Sequence, residues 1–167
     1  ARIAGTVVHR WLQAIAEGRI AGDPDDAGLR AELTDRWLRE LGIGEAMRTP
    51  IAARVSAALD GVRTDPSGRW LLEGEGHAEL ALSGLFEGQV ETVVLDRVRI
   101  DENGEHWIVD YKTSTHEGGN LEGFLDAEVT RYMPQLKKYA AIYRAFSGAE
   151  PRCALYFPLL QRFVEVQ

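Results

Sequence analysis

Val93 to Lys112, VVLDRVRIDENGEHWIVDYK, decides the fold. Val93 to Ile100 and Glu105 to Tyr111 read as strands, and Asp101-Glu102-Asn103-Gly104 between them contains the Asn-Gly pair that favours a tight antiparallel hairpin. Trp107-Ile108-Val109 is a continuous apolar run, the pattern of a strand buried on both faces. That strand ends in charge, which it delivers to a cleft. Residues two apart on a strand share a face, so Asp110 and Lys112 face one site and Tyr111 faces the other. The hairpin brings Asp96 into range of Asp110. The two carboxylates are hard oxygen donors of the kind Mg²⁺ and Mn²⁺ prefer.

Downstream, Thr115 to Gly123 is polar and glycine-containing and reads as a loop. A helix follows from about Thr130 to Phe146. Pro134 is tolerated only in a first turn, so the regular helix is expected to start near Met133, with Glu128 to Tyr132 as an irregular entry. Cys153 to Phe157 and Phe163 to Val166 read as closing strands. Upstream, Trp70 to Leu72, Ala78 to Leu82 and Gln89 to Ile100 have strand texture. Before them come three periodic apolar runs: Ile3 to Ile15, Leu29 to Leu41 ended by Gly42, and Ala46 to Leu59 closed by Asp60-Gly61. Residues 1–61 are thus mainly helical, and residues 69–167 carry the sheet and a late helix. One domain spans 1–167.

The composition limits the chemistry. The single cysteine, Cys153, excludes an internal disulfide framework and any protein-only cysteine cluster, iron-sulfur included. A metal must be held by oxygen and imidazole. No apolar stretch is long enough for a membrane span and no signal-peptide pattern opens the chain, so no membrane partner and a cytoplasmic location are expected. The chain enters a helical pattern at Ala1 without an initiator Met, like a piece of a longer polypeptide. A net charge of −7 argues against a nucleic-acid partner unless basic residues are gathered locally. Arg131, Lys137, Lys138 and Arg144 form one such segment.

Phosphodiester hydrolysis needs a divalent ion and a nearby cation to offset charge in the transition state. Lys112 suits the second role. It can equally orient the attacking water or, if burial depresses its pKa, act as base, which arginine cannot do. The chain has sixteen arginines and only three lysines, Lys112, Lys137 and Lys138. A lysine two residues after Asp110, beside Asp96, is therefore a specific choice. His77, His106 and His116 have no supporting motif and read as surface residues.

Four motifs now stand in order: Gly5-Thr6-Val7-Val8-His9, Leu95-Asp96-Arg97, Asp110-Tyr111-Lys112-Thr113-Ser114 and Gln135-Leu136-Lys137-Lys138-Tyr139. They resemble the G-x-x-x-H, D-R, D-Y-K-T and Q-x-x-x-Y signatures of RecB-type PD-(D/E)XK nucleases. The resemblance covers nearly the whole chain. It implies an α/β, restriction-endonuclease-like fold, a mixed central sheet flanked by helices with an αβββαβ core, here with a helical N-terminal extension. It implies that His9, Asp96, Asp110 and the Tyr111 carbonyl bind Mg²⁺ or Mn²⁺ and that Lys112 is the catalytic lysine. Gln135 and Tyr139, i and i+4 on a helix, would position the lysine or the DNA, and Arg97, Thr113 and Ser114 would contact DNA. The implied activity is metal-dependent hydrolysis of DNA, single-stranded above all, by the terminal nuclease module of a UvrD-like helicase-nuclease in DNA repair and recombination. Its partners would be the helicase domains of the parent chain and a second helicase-nuclease subunit. Two departures are visible: Val93-Val94-Leu95 where many relatives have a glycine before the aspartate, and Gln13 where relatives often carry an acid. A non-catalytic DNA-binding or scaffolding module with the same fold is the rival reading, separable by Mn²⁺ binding. An enzyme acting on RNA is the third.

Overall fold

A computed structural model describes residues 1–167. Its helical third begins with α1 (Arg2–Ala16), which buries Val7, Val8, Trp11 and Leu12 along one stripe. Asp26 caps α2 (Ala27–Glu40) by accepting a hydrogen bond from the Leu29 amide at 2.8 Å. The two helices are tied where Trp11 Nε1 donates to Thr34 Oγ1 at 3.0 Å. Next comes α3 (Glu45–Thr64), which runs straight through Asp60-Gly61, where the sequence predicted a stop. Gly61 is a packing position instead: a Cβ there would stand 2.2 Å from the Pro158 carbonyl oxygen.

A second correction follows at once. Trp70 to Leu72, expected as a strand, belongs to a short helix α4 (Pro66–Leu72). Asp65 accepts from the Ser67 amide and Pro66 occupies the first turn, a start signal that outweighs three apolar residues too few to show any period.

Two long strands, β1 (Gly76–Phe86) and β2 (Gln89–Ile100), form a hairpin whose central residues Glu87 and Gly88 have φ of 50° and 78°. Positive φ at both positions matches the twist of the flanking strands. The expected hairpin between β2 and β3 (His106–Tyr111) is present and antiparallel. Helix α5 (Leu121–Ser147) starts well before the predicted Met133, so Glu128 to Tyr132 is regular helix and Pro134 lies inside it. Asn120 caps it by accepting from the Gly123 amide, and Leu125, Leu136, Ile142 and Tyr143 are buried along its length. That packing outweighs the one donor Pro134 lacks.

The chain closes with β4 (Arg152–Phe157) and β5 (Arg162–Val166). The strands lie in the order β1-β2-β3-β4-β5, antiparallel throughout except for β3 beside β4, which α5 connects as a crossover. Alternation sorts the core. Trp107, Val109, Tyr111, Ala154 and Tyr156 face the N-terminal helices, whereas Ile108, Leu155 and Phe157 face away from them, on the side α5 covers. The architecture is α/β, a mixed sheet flanked by helices, and α1, β1 to β3, α5 and β4 reproduce the αβββαβ order. No helix is long and apolar enough to cross a membrane.

Candidate active site

The glycine and histidine of the first motif work as a unit. His9 Nδ1 lies 2.8 Å from the Gly5 carbonyl oxygen, one helical turn earlier, and a carbonyl can only accept. The proton therefore sits on Nδ1, and the ring presents Nε2 to Asp96 Oδ2 at 3.1 Å. A Cβ at position 5 would approach Thr113 Oγ1 to 3.0 Å, so glycine lets α1 lie close to the chain leaving β3.

Strand register sets the carboxylates. Arg97 opposes Val109, which places Asp96 opposite Asp110 one step further along. Ala78 opposes Arg97 and Leu80 opposes Leu95, so Glu79 lies across from Asp96 on the other side. Three carboxylates thus form a row across β1, β2 and β3. Asp96 is held by the Tyr111 amide, which donates to its Oδ2 at 2.8 Å. Lys112 Nζ is 2.6 Å from Asp110 Oδ2, yet that oxygen, fully buried, has no aligned hydrogen-bond donor. The contact is an ion pair by distance without the geometry of a hydrogen bond. The same ammonium sits 3.7 Å from the centroid of the Tyr132 ring on α5. The Lys112 amide donates to the Tyr156 carbonyl, prolonging the β3–β4 ladder past the lysine.

Crowding of like charge divides the pair. Burial, and then the neighbouring Asp96 charge, push the Asp110 carboxyl up to about 7, against the opposing pull of Lys112. Burial acts the same way on Asp96, but its hydrogen bond and charge contact with His9, with help from Asp110 and the Tyr111 amide, hold it below the usual carboxylate value. Burial disfavours the charged form of His9, but its bond to Asp96 outweighs this and raises it to about 9. Glu79 is also raised, by burial and then by Asp96. The two aspartates are thus driven apart, Asp96 below the usual carboxylate value and Asp110 above it.

Glu79 and Asp96 of this row line an open cleft of about 1000 Å³, whereas the buried Asp110 and its partner Lys112 are not part of its lining. Thr113 and Ser114 line the cleft together with His9 and Asp96. Gln135 and Tyr139 are bonded to each other and line an adjoining groove with Val93 and Lys138 rather than the cleft. Burial above all raises the Tyr139 phenol, and the charges of Asp110 and Asp96 add to the rise, so it lies within their field. Arg97 is a correction. Its side chain is only 2% exposed and its Nε donates to the Leu71 carbonyl at 2.6 Å, so it braces α4 and has no surface to offer DNA. His106, expected at the surface, is half-buried against the Tyr143 hydroxyl.

Three residues of the site escaped the sequence reading: Glu79, Tyr132 and Arg54. Glu79 adopts φ of 49°, a left-handed conformation that a non-glycine strand residue rarely takes. The Glu87-Gly88 turn was the signal for it, because centring the hairpin there puts residue 79 opposite residue 96. Arg54 and Tyr132 carry no local signal; tertiary packing brings them in.

An imidazole, two carboxylates and a buried carboxylate oxygen without an aligned donor fit a hard divalent cation in chemical type. The donors bridge one another in the structure, His9 to Asp96 and Asp96 to Asp110, and no three His, Cys, Asp or Glu side chains converge as a ready cage.

No curated protein sequence matches the chain. A sequence model of the PD-(D/E)XK nuclease superfamily matches residues 1–165, nearly the entire chain, and PD-(D/E)XK nucleases generally use divalent metals such as Mg²⁺. With Asp96 opposite Asp110, Lys112 against Asp110, and a mixed sheet flanked by helices beneath them, this chain belongs to the PD-(D/E)XK nuclease superfamily.

Proposed function

We propose that the chain hydrolyses DNA phosphodiester bonds, on single strands, in a reaction that depends on Mg²⁺ or Mn²⁺. The observation that carries this is Lys112 Nζ at 2.6 Å from a buried Asp110, beside Asp96 and His9. His9, Asp96 and Asp110 would hold the ion, with the Tyr111 carbonyl as a further oxygen donor. The ion supplies Lewis-acid polarisation of the phosphoryl group. Lys112 places a fixed positive charge next to the scissile phosphate and offsets the charge that develops there. Asp110 and the ring of Tyr132 hold that ammonium in place. Thr113 and Ser114 offer hydroxyls to the strand backbone, and the Gln135–Tyr139 pair orders the α5 side of the site.

The resemblance of the four motifs to RecB-type nucleases supports a place as the nuclease module of a repair or recombination helicase-nuclease. In that setting helicase domains of the same parent chain, and a second subunit, would deliver DNA to the cleft. The test compares wild type with Asp110→Ala and Lys112→Ala on a labelled single-stranded DNA in Mn²⁺. Wild-type cleavage with at least about 100-fold loss in each variant is expected, on the scale of one transition-state electrostatic contact. Equal cleavage by all three proteins would mean that this site is not the source of the activity.

A further inference from the structure

Arg54 belongs to α3, in the helical third that precedes the sheet, and it is the one α3 residue lining the cleft. Its Nη2 donates to the Thr113 carbonyl oxygen at 2.8 Å, immediately after the catalytic lysine. That bond fixes the guanidinium plane. Its Nε is buried without a hydrogen-bond partner, and no carboxylate lies within ion-pair distance of any of its nitrogens. In so acidic a chain this is unusual for an arginine. Elsewhere in the cleft lining Arg10 is paired with Glu40 at 2.9 Å and Arg131 approaches Glu128 at 3.8 Å. Glu79 and Asp96 also line the cleft, yet Arg54 is held by a neutral carbonyl instead of by either of them.

A planar cation with its charge uncompensated, oriented by one bond and placed beside a phosphodiester-cleaving centre, has the character of a phosphate contact. We infer that Arg54 binds a backbone phosphate of the nucleic-acid strand next to the one attacked, and so sets the register in which the scissile phosphate reaches Lys112. This rests on the nuclease reading. It makes the N-terminal helical extension part of the substrate site and not only a brace for the sheet. Arg54 is here a positioning residue: it acts on the reaction through the strand it holds.

The test is fluorescence anisotropy of a labelled single-stranded DNA oligonucleotide with wild type, Arg54→Ala and Arg54→Gln, each checked for fold by thermal unfolding, at several salt concentrations. Glutamine keeps a polar, hydrogen-bonding side chain and removes the charge. Expected is a rise in Kd of about 5- to 20-fold in both variants, and a salt slope shallower by about 0.7, the value for one phosphate contact on a single strand. In steady-state cleavage KM should rise more than kcat falls. If Arg54→Gln binds and responds to salt like wild type while Arg54→Ala is merely less stable, Arg54 is only a brace and the inference is overturned. A wild-type protein that binds Mn²⁺ and cleaves DNA while Arg54→Gln keeps full affinity refutes this inference alone. A folded wild-type protein that binds neither Mn²⁺ nor the oligonucleotide refutes the nuclease reading with it.

Discussion

Lys112 is held between unlike neighbours, a carboxylate on its own strand and an aromatic face on α5. The carboxylate attracts it but would be drawn away by any cation bound among the aspartates. The Tyr132 ring at 3.7 Å would remain, and a desolvated cation–π contact contributes about 2 kcal/mol. Tyr132→Phe keeps the ring and should cleave within about twofold of wild type. Tyr132→Leu removes it and should lower kcat by up to about 30-fold with little change in KM, the scale of that contact. Equal kcat values for the two variants would show that the ring does not hold the lysine. At this scale the sequence was legible in part. Asp96, Asp110 and Lys112 are set by strand parity and one tight turn, which a sequence displays. Tyr132 was read as part of an irregular entry to a helix, because Pro134 was given more weight than the packing of α5 on the sheet.

At the level of elements, Arg97 shows how a motif residue can serve the fold. Its guanidinium is buried between β2 and the end of α4, with Nε on the Leu71 carbonyl and Nη2 at 3.4 Å from the carbonyls of Glu73 and Gly74. These carbonyls end α4 and begin the turn into β1, where helical partners run out. Arg97→Met keeps the bulk and removes the donors, leaving buried acceptors unsatisfied. A loss of about 2–4 kcal/mol, read as a lower urea midpoint, is expected, while the ion pair of Lys112 with Asp110 stays in place. A midpoint unchanged from wild type would show that water replaces those donors freely. Its place directly after Asp96 suggested the site, but parity assigns it to the opposite face. The same logic explains α4, whose three apolar residues carried no period, whereas Asp65-Pro66 carried a start signal.

Over the whole molecule, charge is distributed by folding in a way the linear order conceals. The basic segment visible in the sequence, Arg131 with Lys137, Lys138 and Arg144, does not form a track. Lys138 approaches Glu91 at 3.6 Å, Arg144 is paired with Glu150, and of the four only Arg131 lines the cleft. The cleft instead gathers Arg2 and Arg10 from α1, Arg54 from α3 and Arg131 from α5, residues spread across most of the chain. A protein of net charge −7 therefore places two arginines without carboxylate partners, Arg2 and Arg54, in a cleft that acidic side chains also line. Long-range steering of a polyanion is weak in such a field, and binding depends on contacts made inside the cleft. Four rim arginines, each displacing about 0.7 of a counterion on a single strand, bound the slope of log Kd against log salt at about 3. Arg10 and Arg131 already have carboxylate partners, so a slope nearer 1 to 2 is expected for wild type with a short single-stranded oligonucleotide, because only Arg2 and Arg54 are free to give about 0.7 each. The measurement is a titration from low to physiological salt and beyond. A slope well above 3 would demand phosphate contacts outside the cleft and would move the DNA path onto another face of the domain.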